Sequence, residues 1–261
     1  MMKKIMIASA VMAALLLASC GGGGESSGEA ASAPKAEKKA PAKGTDISGY
    51  SGTITGTVSY KGAAPKVRPV RMDAECGAFH SDPVMNESDV VNENGTSKWV
   101  FVYVKEGLGD MKFDPPGTPV VFDQVGCKYT PHVFGVQAGQ PIQILNSDPM
   151  LHNIHALPKT NRPFNFGMPK KGDERTQSFK KAEVMVKIKC DVHPWMGAYA
   201  GVVDHPYYAV TGDDGSFTIK NLPAGEYVLE AWHETHGTKT MTVKVENNGS
   251  ATADFSFGPA S

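Results

Sequence analysis

The chain has 261 residues, with 26 Lys and Arg against 27 Asp and Glu, a formal net charge of −1 and a sequence pI of about 6.7. A balance this even argues against a protein that coats nucleic acid, because neutralising phosphates takes a basic excess. With 41% hydrophobic and 20% charged residues the chain is not wholly disordered, and its 28 Gly and 18 Pro favour many turns and short strands over a helical bundle.

Residues 1–19 carry Lys3 and Lys4 ahead of a short apolar run, which reads as an export signal because a membrane-spanning helix needs about 20 apolar residues. The end of that run, Leu17-Ala18-Ser19-Cys20, resembles the bacterial lipobox, which implies lipidation of Cys20 and attachment to a membrane on the periplasmic face of the cell envelope. A plain secretory signal is the alternative. Residues 20–48 are rich in Gly, Ala, Ser, Pro, Lys and Glu and are expected to form a flexible linker, since such a composition cannot bury enough apolar surface to fold.

From there on, short alternating segments are separated by turn signals. Strands are expected over 53–60, 99–104, 133–136, 142–145, 184–190, 217–219, 227–231 and 241–245. Asn94-Gly95, Ala138-Gly139, Asp213-Asp214-Gly215 and Pro223-Ala224-Gly225 mark turns between them. No segment repeats apolar residues at helical spacing over three turns, so the fold class is all-β, as two sandwiches.

Residues 209–234, AVTGDDGSFTIKNLPAGEYVLEAWHE, resemble the carboxypeptidase regulatory-like, or prealbumin-like, β-sandwich family in their T-x-x-D-G-x-F and L-P-x-G-x-Y patterns. The family's opening strand and turn stand far upstream, as Gly56-Thr57-Val58-Ser59-Tyr60-Lys61-Gly62. This implies one sandwich split between residues 49–112 and 206–258, with a second domain, 113–205, inserted. A sequential order, with 49–112 belonging to the central domain, is the rival arrangement.

The chemistry concentrates in Cys190-Asp191-Val192-His193-Pro194-Trp195-Met196. Alternation puts Val184, Val186, Ile188 and Cys190 on one face of the preceding strand, so the thiol points into the core. A buried thiol is most often a small hydrophobe. Here an imidazole and a thioether follow within six residues, and a thiolate, two imidazoles and a weak axial Met are the ligands of a blue-copper site. The second histidine is found upstream in Asn146-Ser147-Asp148-Pro149-Met150-Leu151-His152-Asn153-Ile154-His155.

Residues 119–203 thereby resemble the cupredoxin family, with L-H-N-I-H and C-D-V-H-P-W-M in the short ligand-loop form of the amicyanin branch. Carried over position by position, the resemblance implies one copper ion, Cu(I)/Cu(II), on His152, Cys190, His193 and Met196. It places Asn153 behind the ligands and makes His193 an electron port with Pro194, Trp195 and Met168 as its apolar rim. His155, three residues from His152, is expected on the opposite face. Zinc is the less suitable ion, because Met196 is a poor partner for it.

With Cys20 and Cys190 so engaged, Cys76 and Cys127 remain. Export permits a disulfide between them, closing a loop of about 50 residues and contributing on the order of 3 to 4 kcal/mol; two separate buried thiols are the alternative. His132 reads as an ordinary strand histidine, and His233 and His236 as exposed residues at a strand end and turn, with a second site as the alternative. Lys170, Lys171, Lys180 and Lys181 form either a solvated face or a docking patch.

The expected function is one-electron transfer between redox proteins, such as a cytochrome or a dehydrogenase, by a chain that is not itself an enzyme. No Ser-His-Asp set, phosphate loop or haem-binding Cys-x2-Cys-His is visible. Copper buffering or delivery is one alternative. A cell-surface module that binds carbohydrate or protein, with a structural copper site, is another.

Overall fold

A computed structural model describes residues 44–259. The expected signal peptide, Cys20 and the first part of the linker lie outside them. The fold is all-β. Its elements in chain order are β1 (Gly52–Tyr60), α1 (Ala74–Gly77), β2 (Phe101–Glu106), β3 (Val120–Gln124), β4 (Tyr129–Thr130), β5 (Val133–Gln137), β6 (Ile142–Asn146), β7 (His152–Leu157), β8 (Phe164–Met168), β9 (Asp173–Gln177), β10 (Glu183–Lys189), β11 (Gly197–Val203), β12 (Tyr208–Val210), β13 (Ser216–Leu222), β14 (Gly225–His233), β15 (Gly237–Val245), β16 (Ser250–Thr252) and β17 (Phe255–Phe257). Among the described residues no helix is long and apolar enough to cross a membrane.

The strands form four sheets. Two, β13-β1-β16 with β17 also on β1, and β12-β2-β14-β15, draw only on strands from 52–106 and 208–257. The other two, β5-β11-β10-β7-β8 and β4-β3-β6-β9, draw only on strands from 120–203. β1 is central to its sheet: it pairs antiparallel with β13 and parallel with β16 and β17, so its neighbours all come from the far end of the chain.

Alternation explains which faces are buried. In β1, Ile54, Gly56 and Val58 point inward and the threonines between them outward. Ile54 and Val58 meet Ile219, Tyr227, Leu229 and Phe255 in one core. In β10, Val186 and Ile188 point into a second core with Phe122, Phe134, Ile144 and Ile154. A third cluster joins strands of both groups around Phe101, Val133 and Val203. Glycines let it close: a Cβ on Gly201 would stand 2.5 Å from the Phe101 ring, and one on Gly135 2.2 Å from the Tyr208 ring.

Two segments depart from the expected boundaries. Residues 44–48 are held rather than free, with the Gly44 N–H on the Asp114 carboxylate at 3.0 Å and the Thr45 N–H on the Lys112 carbonyl at 2.6 Å. The β1–β2 connection also reaches the central sheets. Asp73 caps α1 by accepting the Cys76 N–H at 2.8 Å, and Cys76, fully buried in the core of those sheets, is disulfide-bonded to Cys127 with Cα atoms 5.7 Å apart.

Candidate metal centre

Two strand ends build the centre. His152 opens β7, and Cys190 follows the last residue of β10, which pairs antiparallel with β7. The loop after Cys190 folds tightly back: the His193 N–H reaches the Cys190 Sγ at 3.3 Å, the Met196 N–H the His193 carbonyl at 2.9 Å, and the Cys190 N–H the Met196 carbonyl at 3.2 Å. His152 Nδ1 and His193 Nδ1 are 2.9 Å apart, and the Cys190 Sγ lies 3.9 Å from His193 Nδ1. Each of these residues offers a donor atom within 4.8 Å of the others, and all three side chains are buried. Met196 is buried in the same core.

Asp148, a residue the sequence reading passed over, orients the first histidine. Its Oδ2 accepts the His152 Nε2–H at 2.8 Å, which leaves the Nδ1 lone pair facing the Cys190 loop. The same carboxylate accepts the Gly126 and Cys127 N–H groups, each at 2.7 Å. Asn146 completes the support, donating to the Met150 and Met168 carbonyls at 2.9 and 2.8 Å. An acid four residues before the candidate histidine His152 is the signal that could have found Asp148.

Asn153 clamps the two loops together. Its Oδ1 accepts the Asp191 N–H at 2.7 Å and lies 3.2 Å from the Cys190 Sγ, while its Nδ2 donates to Asn165 at 2.8 Å. Asp191 is fixed in turn by His155 Nδ1 at 2.9 Å, Asn165 at 2.9 Å and Lys189 at 2.8 Å. His155 therefore faces away from the three donors.

Burial alone would raise the Cys190 thiol pKa. His152 and the backbone N–H groups of residues 153, 193 and 192 outweigh burial and hold it below its ordinary value, which favours the thiolate. Burial would likewise lower the pKa of His152, but Cys190 and Asp148 turn the net shift upward. His193 is shifted down, by burial first and then by His152. A depressed thiol beside two imidazoles and a buried thioether suits a soft, redox-active metal, and copper fits this donor set.

The expected rim requires correction. Met168 is fully buried, with its sulfur 3.0 Å from Gln124 Nε2, because the register of β8 on β7 sets it opposite His152 and turns it into the core. His193 is 7% exposed, with its Nε2 3.8 Å from the Asp73 carboxylate at the start of α1. Trp195 lies against the His193 ring at 5.1 Å and donates its Nε1–H to the Cys127 carbonyl at 3.0 Å, while Pro194 is exposed. Leu151 and Val192, the chain neighbours of His152 and His193, are both 45% exposed. The disulfide abuts the centre: Cys76 Sγ and Cys127 Sγ lie within 4.8 Å of donor atoms of His193 and His152, respectively.

Elsewhere, His132 bridges the Gly197 carbonyl at 3.0 Å and Glu234 at 2.7 Å. His233 and His236, expected to be exposed, are instead packed together with Asp89. The four lysines at 170, 171, 180 and 181 are exposed.

Residues 178–256 match the family model of the ER membrane protein complex subunit 7 β-sandwich domain, a segment that runs from just before β10 through the loop after Cys190 and into β17. No curated protein matches the chain. Among solved structures it is similar to a methionine-to-alanine mutant of amicyanin in the Cu(I) form, at 20% identity over 39% of this chain and 97% of that one, with a TM-score of 0.29. A purple cupredoxin from Nitrosopumilus maritimus gives 20% identity over 32% and 98%, with a TM-score of 0.27. A copper-containing nitrite reductase from Thermus scotoductus SA-01 gives 22% identity and a TM-score of 0.30 over 38% of this chain, which spans only 25% of that protein's length.

Proposed function

We propose that this chain is an exported copper protein, anchored to a membrane of the bacterial envelope through Cys20, that carries single electrons between redox partners. The observation that supports it is the meeting of His152 Nδ1, His193 Nδ1 and Cys190 Sγ at one buried point, from stretches about 40 residues apart in the chain. On this reading His152, Cys190, His193 and Met196 hold the ion, which supplies a one-electron Cu(I)/Cu(II) couple when bound.

The chain's own residues keep that point rigid and dry. Asp148 fixes the His152 ring, Asn153 ties the β7 and β10 ends together, and the disulfide with Trp195 walls off water. A stiff frame of this kind limits what must rearrange when an electron arrives or leaves. Partner contact falls on the exposed apolar side chains Leu151, Val192 and Pro194 in place of Met168, and a transient contact of this kind is small. We read the strands of 52–106 and 208–257 as one split sandwich that carries the 113–205 unit and has no catalytic part of its own.

A second reading, copper buffering or delivery, draws on the burial of His193 beneath Asp73. Reversible reduction of the copper-loaded protein separates the two. A carrier exchanges electrons quickly, keeps its metal in both states, and loses fast exchange in His193→Ala. Unchanged transfer rates in that variant, or copper shed on each reduction, contradict the carrier.

A further inference from the structure

A second group of ligating side chains lies outside the copper centre, where the β14–β15 hairpin meets the β1–β2 connection. Asp89 comes from the connection, and His233 and His236 from the hairpin. His236 Nε2 is 3.0 Å from Asp89 Oδ2, His233 Nε2 is 3.4 Å from Asp89 Oδ1, and the two imidazole centroids are 4.6 Å apart. Donor atoms of all three lie within 4.8 Å of one another.

His233 is 2% exposed, and both its Nε2 and Asp89 Oδ1 are buried without a hydrogen-bond partner. Burying a polar atom without a hydrogen-bond partner is costly, so two of them 3.4 Å apart at one point call for an occupant. We propose that Asp89, His233 and His236 bind a divalent cation of the zinc class, at a site separate from the copper centre. Two imidazoles and a carboxylate with no sulfur are a donor set for a borderline divalent ion and a poor one for Cu(I).

The surroundings fit. Burial is the main cause that lowers the His233 pKa to about 4, so its ring is neutral at neutral pH, as a ligand must be. Phe257 packs against both rings, at 5.3 Å from His233 and 6.3 Å from His236, and Tyr60 meets His236 edge-on at 5.6 Å. Thr235 Oγ1 donates to the Ser88 carbonyl at 2.8 Å and holds the hairpin turn beside Asp89.

Two contacts must yield on binding: the first is the His236 Nε2–Asp89 Oδ2 hydrogen bond, whose proton passes to His236 Nδ1 as Nε2 takes the ion, and the second is at His233. The Thr235 N–H donates to His233 Nδ1 at 3.1 Å, which keeps the ring proton on Nε2 in the metal-free state. The ion takes Nε2, the proton moves to Nδ1, and the N–H of Thr235, an exposed turn residue, passes to water. An ion here would fasten the β1–β2 connection, which also carries Asp73 and Cys76 to the copper centre, onto the β14–β15 hairpin.

Equilibrium dialysis against zinc, with metal analysis, tests the proposal on the full chain bearing Cys190→Ala. One bound zinc is expected, retained when His193→Ala is added. Adding His236→Gln instead removes a direct ligand, so affinity should fall by more than the roughly tenfold to hundredfold that outer-shell partners cost. Asp89→Asn should act in the same direction. No zinc on the Cys190→Ala chain, or binding that His236→Gln and Asp89→Asn leave unchanged, would overturn the site.

Discussion

Asp148 shows how much of the candidate centre depends on a residue outside its three donors. One buried carboxylate accepts an imidazole N–H and two backbone N–H groups, and so fixes both the tautomer of His152 and the position of the Gly126–Cys127 turn beside it. Asp148→Asn keeps the size of the side chain and removes the charge. Copper affinity should then fall about tenfold to a hundredfold, read by competition with a Cu(I) chelator; an unchanged affinity would show that the His152 ring needs no such orientation. The three residues that converge, His152, Cys190 and His193, could be picked out in the sequence, because a thiol and imidazoles at these spacings leave few other chemistries. Asp148 and Asn146 could not, since their roles depend on backbone groups of the β3–β4 turn, of Met150 and of the end of β8 that only the folded chain brings near. Met168 was misread for a related reason. An apolar residue close to the ligand loops looks like rim until the β7–β8 register is known.

Among the elements, strands with plain alternation were readable, while β3 and β11, apolar as they are, and the polar β9 were not. β1, β10 and β14 alternate visibly, whereas β9, DERTQ, carries no large apolar residue and is a strand only because β6 offers it an unpaired edge. α1 escaped notice because four residues show no periodicity; its position rests on the Asp73 cap and on Cys76. That disulfide spans 51 residues, so replacing both Cys76 and Cys127 by Ala should lower unfolding free energy by about 4 kcal/mol on the chain-entropy account. A denaturant titration measures this, and a midpoint equal to wild type would mean that the link adds nothing to stability.

At the scale of the whole described chain, stability depends on a seam as well as on two cores. Phe101 of β2 sits against Gly201 of β11 so closely that even a methyl group would displace its ring. Gly201→Ala should therefore cost about 1–3 kcal/mol, the usual penalty of overpacking, visible as a lower denaturation midpoint. A neutral result would mean that the seam is looser than these contacts imply. The same fold also explains the buried state of His193: the β1–β2 connection leaves the sheet of the terminal strands, caps α1 with Asp73 and lays it over the imidazole.

The visible spectrum of the purified protein with added copper(II) tests the account most directly. If His152, Cys190 and His193 coordinate one ion, an intense thiolate-to-copper charge-transfer band should appear at one copper per chain and vanish in Cys190→Ala. A weak spectrum typical of copper(II) on nitrogen and oxygen alone, or a band that survives loss of Cys190, would contradict it.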